Sequence, residues 1–176
     1  MVAMTELIDS LLRFARGGGH NPFGHQHVGV AAERAVASER RHRAVRGVSI
    51  DVEIRSMATA KINARRIESA IYNLLLNACQ AAQHFNPEPI VKMDVEAIGP
   101  MICITVTDNG PGVPSSILDT LFDPFVTCGK QEGLGLGLAM VREIAEEHLG
   151  SVQLMQSEPG KTVFTLLIRA HTGAGA

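Results

Sequence analysis

The stretch Met101–Val113 reads MICITVTDNGPGV, and its last six residues, Asp108-Asn109-Gly110-Pro111-Gly112-Val113, decide the reading of the whole chain. Ile102, Ile104 and Val106 alternate with Cys103, Thr105 and Thr107, the period-two pattern of a half-buried strand. Asp108 shares the parity of the apolar set, so its carboxylate points to the core face. A carboxylate there is costly unless donors or a ligand satisfy it. The glycines just after it let backbone come close to a bound molecule. A turn-forming aspartate at a strand end has the same local pattern, so the surroundings must choose.

Upstream, Ile67, Ile71, Leu74, Leu75, Ala78 and Ala82 form one helical stripe. Asn63 is placed to cap this helix, which should reach about His84 before Asn86-Pro87 and Pro89 close it. Asn73 and Asn77 are four apart and stack on one side, at the stripe's edge. Paired carboxamides can ligate a hard cation or phosphate oxygens, though surface asparagines share this pattern. Downstream, Gly133-Leu134-Gly135-Leu136-Gly137-Leu138 opens another helix. Alternate glycines before a helix N-terminus offer backbone N–H groups and the favourable dipole end to phosphate. The spacing is neither a Rossmann fingerprint nor a Walker A loop, and such a loop alone also suits a flexible connection.

Further out, Met4, Leu7, Ile8, Leu11, Leu12 and Ala15 predict an amphipathic helix stopped by Gly17-Gly18-Gly19. A loop to about His27 follows, then a helix over about 28–45 and a strand through Val48, Ile50, Val52 and Ile54. Strands are expected over 90–97, 101–108, 151–156 and 162–168, with a short helix after Pro114 and a helix over about 136–149. The tail from His171 should be loose. This order of helices and mostly antiparallel strands argues for an α+β sandwich, with the helices on one sheet face.

The chain has 176 residues, 45% of them hydrophobic and 19% charged, enough for one domain with a sizeable core. A net charge of -2 gives no global field for nucleic acid. Eleven Lys/Arg stand against four Asp/Glu between Arg13 and Arg66, and Arg40, Arg41, Arg43 and Arg46 read as a solvated helix face. Cys79, Cys103 and Cys128 lack metal-type spacing, which suggests reduced thiols and a cytoplasmic setting. No apolar run approaches the ~20 residues of a membrane span. His20, His25 and His27 read as a solvated loop rather than a metal site.

Taken together the motifs are far less ambiguous. Asn73–Ala82 (NLLLNACQAA), Asp108–Val113 (DNGPGV), Leu121–Thr127 (LFDPFVT) and Gly133–Leu138 (GLGLGL) resemble, in order, the N, G1, F and G2 boxes of the GHKL ATPase superfamily. Ser157–Thr165 (SEPGKTVFT) resembles its last strand pair, and the specific resemblance is to the catalytic domain of two-component sensor histidine kinases. It covers roughly residues 47–169 and implies a two-layer Bergerat-type fold with an ATP site between the long helix and a mobile lid. It also implies that Asp108 receives the adenine amino group, that Gly110 and Gly112 leave room for the base, and that Asn77 ligates Mg²⁺ with Asn73 near the phosphates. Gly133, Gly135 and Gly137 would bring N–H groups to the triphosphate, Lys130 would reach its end, and Thr162 would lie near the phosphate or lid.

The same resemblance divides the chain. Residues 1–27 look like a remnant of the second helix of a dimerisation and phosphotransfer hairpin plus linker, 28–170 like the catalytic domain, and 171–176 like a flexible tail. It implies transfer of the γ-phosphate to a histidine outside this chain, since no histidine here is followed by Glu or Asp. The implied partners are ATP, the parent's hairpin and, indirectly, a response regulator, but not nucleic acid. The implied parent is homodimeric and membrane-anchored, if at all, through segments absent here, while the fragment is monomeric. Departures from the family pattern are the run Thr127-Cys128-Gly129-Lys130, Gln80, Leu149 before Gly150, and a glycine missing between Gly160 and Thr162. Two alternatives stand beside this reading: a nucleotide-binding module without catalysis, and an anti-sigma-factor-like serine kinase, which the first helix and the F box disfavour.

Overall fold

The computed structural model describes residues 23–39, 47–56, 58–127 and 134–171. The helix expected over Met4–Arg16, together with His20, Cys128, Lys130 and Gly133, lies outside them. In chain order the elements are β1 Gly24–His27, α1 Val28–Glu39, β2 Ser49–Ile54, β3 Thr59–Ile62, α2 Ala64–Phe85, β4 Ile90–Ile98 and β5 Met101–Asp108. A 3-10 helix Ser115–Thr120, α3 Gly137–Glu147, β6 Ser151–Glu158 and β7 Lys161–Arg169 follow.

The main sheet has the order β2-β4-β5-β7-β6. β2 runs parallel to β4, and the other neighbours are antiparallel. Alternation puts Val91, Met93, Val95, Ile102, Ile104, Val106, Leu166 and Ile168 on one face, all buried. The three helices cover that face, closing one core that includes Val28, Ile67, Ile71, Leu74, Leu75 and Ile144. Each buried Leu or Ile contributes about 1.5–3 kcal/mol on transfer from water, so the α2 stripe anchors the two layers. The expected mixed sandwich is present, and Cys79 and Cys103 are free and buried within it.

α2 begins as the sequence implies. Asn63 Oδ1 accepts the Arg66 N–H at 3.3 Å, and the Asn86 N–H donates to the Ala82 carbonyl at the far end. Ile67, Ile71, Leu74, Leu75, Ala78 and Ala82 are all buried.

Two short strands depart from the sequence reading. Gly24–His27, expected as loop, pairs antiparallel with Thr59–Ile62, so His25 lies opposite Lys61. GHQH offers no apolar alternation to detect, and its strand form depends on hydrogen bonds to a segment more than thirty residues away. The helix expected over 28–45 is described only as far as Glu39.

Candidate functional site

The stretch of α2 from Asn73 to Ala81 has neighbours of different chemistry at its two ends. At one end β5 finishes with Asp108, which is only 3% exposed, in keeping with its parity. Its Oδ1 accepts the Gly110 N–H at 2.8 Å. Burial raises the Asp108 pKa above the ordinary carboxylate value, opposed by the Gly110 N–H and the nearby Thr162 hydroxyl. A Cβ on Gly110 would sit 2.6 Å from Asp108 Oδ1 and 3.0 Å from Ala81, so only glycine fits there. Gly112 has φ +82° and packs against the Glu158 backbone, where a Cβ would come within 3.1 Å. The Gly160 N–H donates to the Gly110 carbonyl at 2.8 Å and ties this loop to the β6–β7 turn.

Thr162 is the register partner of Asp108 across β5 and β7. It is 3% exposed. Its Oγ1 lies close enough to favour the carboxylate but makes no well-directed hydrogen bond among the described residues. A buried acceptor and a buried hydroxyl without a partner thus stand side by side, a pair suited to the amino and ring nitrogens of a purine.

The other end lies on the side of α2 that faces α3. Asn73 Nδ2 donates to the Ser69 carbonyl at 2.8 Å, which orients its Oδ1 outward. A Cβ on Gly137 would stand 3.4 Å from Asn73 Oδ1 and 3.7 Å from both Asn77 amide atoms. The two asparagines therefore face the first residue of α3. Leu136, the residue before α3, supplies no capping side chain, and the first N–H groups and positive dipole end of a helix can take an acceptor from outside it. The Asn77 carboxamide makes no side-chain hydrogen bond among the described residues. A carboxamide oxygen beside a helix N-terminus fits one position of a Mg²⁺ ion that keeps several waters. From Asn73 to Ala81 is eight residues, or about 12 Å along the helix.

Gly135 plays a different part from Gly137. It has φ +65°, and a Cβ there would lie 2.5 Å from the Val126 carbonyl oxygen. Its carbonyl accepts the Phe125 N–H at 2.9 Å, so it joins the F-box segment to the start of α3. Phe122 adds an edge-to-face contact with Phe164 at 6.3 Å, and Arg142 bonds Asp123 at 3.1 Å. Lys130 and Gly133 lie outside the described residues.

Sequence reading misses three groups. His148 is buried between α2 and α3, Arg66 bonds Glu143 and Glu147, and Glu39 is wholly buried with no hydrogen bond to either oxygen among the described residues. No motif marks any of them, because each depends on what folding places beside it.

The model of the histidine kinase-, DNA gyrase B- and HSP90-like ATPases matches residues 62–172, which include Asn73, Asn77, Asp108, Gly137 and Thr162. The chain belongs to this ATPase family. Among relatives, the C4-dicarboxylate transport sensor protein DctB of Rhizobium meliloti (strain 1021) is 34% identical over 164 residues, covering 93% of this chain and 26% of that protein. The sensor histidine kinase ZraS of Escherichia coli (strain K12) is 39% identical over 102 residues, 57% of this chain and 21% of that protein. The chain thus spans about a quarter of the length of these curated relatives. A solved mycobacterial sensor histidine kinase, MprB, superposes with a TM-score of 0.72 at 22% identity, over 84% of this chain and 98% of that one. This last likeness shows the fold. Within the ATPase family, the relatives are of the sensor histidine kinase type, which leaves the serine-kinase alternative without support. Among the described residues no helix is long and apolar enough to cross a membrane.

Proposed function

We propose that this chain is the catalytic domain of a sensor histidine kinase, transferring the γ-phosphate of Mg-ATP to a histidine on a separate dimerisation and phosphotransfer hairpin. The observation that carries this reading is the pair of groupings along α2: Asp108 with Thr162 at one end, Asn73 and Asn77 facing Gly137 at the other. Asp108 accepts the adenine amino group, Gly110 keeps a side chain off its carboxylate, and Gly112 seats the loop against the Glu158 backbone. The N-terminal N–H groups of α3 hold phosphate oxygens, and Asn73 orients them from α2. Asn77 is the residue that would hold Mg²⁺, which when bound neutralises charge on the phosphates. Lys130 and Gly133 complete the triphosphate contacts. The acceptor imidazole nitrogen attacks the γ-phosphorus in line while ADP leaves, so the chain's own work is positioning and electrostatics.

Within this reading, residues 1–27 are the end of the hairpin's second helix with its linker, and 28–170 are the catalytic unit. The parent is a homodimer acting in the cytoplasm and serving a response regulator, and the fragment alone is a monomer. No histidine in the chain is followed by an acidic residue, so the fragment binds ATP but does not label itself. Radiolabelled γ-phosphate should reach the parent's hairpin added in trans, and not the chain alone. Acid-labile label on the chain alone would contradict the reading. Tight ATP binding with no transfer at any hairpin concentration would favour a nucleotide-binding module without catalysis.

A further inference from the structure

We propose that His148 is a positioning residue for the nucleotide site: its imidazole pins the start of α2 to the end of α3 and so holds the Asn73–Asn77–Gly137 gap. The inference rests on the reading of that gap as the phosphate end of the ATP site.

α2 and α3 run in opposite directions, because Asn73 faces Gly137 at one end while Arg66 meets Glu143 and Glu147 at the other. His148 closes that far end. It is 4% exposed. Its Nε2 accepts the backbone N–H of Asn63, the capping residue of α2, at 3.0 Å. Its Nδ1 lies 2.6 Å from the Ile144 carbonyl in α3. Both partners are single-valued: an amide N–H can only donate and a carbonyl can only accept. The ring is therefore the neutral Nδ1–H tautomer, and no other form keeps both bonds. From His148 to Gly137 is about 16 Å of helix, and from Asn63 to Asn73 about 15 Å. Two near-equal arms thus run from the imidazole to the two sides of the gap. Phe23 stacks on the same ring with centroids 4.9 Å apart, so the chain entering β1 touches the pin as well.

Arg66 is a second, weaker fastener. Its Nε and Nη2 bond Glu147 at 2.9 and 2.7 Å, and Nη2 bonds Glu143 at 3.0 Å. The acids are 37% and 48% exposed, so salt screens that fork. It does not reach the buried His148 bonds.

A protonated ring cannot accept from Asn63. The charged groups facing it are Arg66 from α2, which disfavours protonation, and Glu147 from α3, which favours it. Burial is the largest effect and sets the His148 pKa below the ordinary 6.5. A depressed histidine contributes stability that is complete above the unfolded value and lost as pH falls through the folded one. The pin is therefore closed at neutral pH and released in acid.

The test is calorimetry with Mg-ATP and with adenosine between pH 5 and 8 on the wild type, His148→Gln and His148→Phe. Glu39 titrates in the same range, so the comparison is between proteins rather than along one curve. Phenylalanine keeps the packing on Phe23 but accepts nothing, and should weaken ATP about tenfold at pH 7.5 with adenosine changed less than about twofold. Glutamine can still accept from Asn63 and should stay within about threefold of wild type at pH 7.5, while losing less ATP affinity in acid. Equal ATP affinity of His148→Phe and wild type would overturn the inference. So would superimposable acid profiles of wild type and His148→Gln, which decide the matter if His148→Phe does not fold. Wild type that binds no ATP at any pH would overturn the nucleotide reading itself. The pin then stands or falls on whether acid lowers the urea midpoint of wild type more than that of His148→Gln.

Discussion

Gly137, the first residue of α3, faces Asn73 of α2 so closely that a Cβ on it would lie 3.4 Å from the carboxamide oxygen. The same methyl would lie 3.7 Å from both amide atoms of Asn77. These are tight to ordinary van der Waals distances, so Gly137→Ala should fold. Helix propensity favours alanine by up to ~1 kcal/mol. The urea midpoint should hold or rise while Mg-ATP affinity drops at least about tenfold, because the methyl occupies the phosphate path. Unchanged affinity by calorimetry would place the phosphates elsewhere.

Thr162→Val should separate stability from binding in the same way at the base end. The hydroxyl is buried without a well-directed partner, and removing such a group gains about 1 kcal/mol in the nucleotide-free protein. Adenine nucleotides should bind more weakly to Thr162→Val, and Asp108→Ala should weaken them further. A double-mutant cycle by calorimetry should show coupling between the two residues, since they are register partners. Strict additivity would mean that they do not share the base.

Glu39 predicts a stability cost at alkaline pH. The residue is 0% exposed, neither oxygen is bonded among the described residues, and burial raises its pKa from 4.5 to about 7. A carboxyl with a raised folded pKa contributes stability that is complete below 4.5 and lost as pH rises through about 7. The shift corresponds to about 3 kcal/mol. Urea unfolding should show the wild type losing more stability than Glu39→Gln between pH 5 and 8. Parallel curves would mean that the carboxyl is solvated or paired.

Leu149 sits in the left-handed region at φ +54° and is 80% exposed, so it carries backbone strain with little burial to offset it. The Gly150 N–H bonds the Ala145 carbonyl around it and closes the α3 C-terminus. Leu149→Asn should raise stability by about 0.5–1 kcal/mol, since asparagine tolerates this conformation better. A lower melting temperature would show that the leucine side chain contributes packing that its exposure conceals.

Much of the site is legible in the amino-acid sequence. The parity of Asp108 with Ile102, Ile104 and Val106 directs its carboxylate to the buried face, and it is buried. The four-residue step from Asn73 to Asn77 puts both on one side of α2, where both face Gly137. These inferences rest on local periodicity, which a strand or helix imposes on its own residues. The pairing of Thr162 with Asp108 is not legible there, because a residue's position along a strand says nothing about which residue lies opposite. Register decides that, and register is set by pairing across the sheet.

What the sequence by itself determined is therefore the set of elements with strong periodicity, the order of the glycine and asparagine motifs, and the family those motifs belong to. Tertiary structure alone decided the β1–β3 pairing, the Asp108–Thr162 juxtaposition, the burial of Glu39 and the convergence of Asn63, Ile144 and Phe23 on His148. In the β1–β3 pairing, the Asp108–Thr162 juxtaposition and the contacts of Asn63 and Phe23 with His148 the partners are distant in sequence, and nothing in a residue's neighbours encodes them. His148 and Asn63 are 85 positions apart. Only the packing of α3 against α2, driven by burial of their apolar stripes, brings an imidazole nitrogen to a backbone N–H and gives both a role.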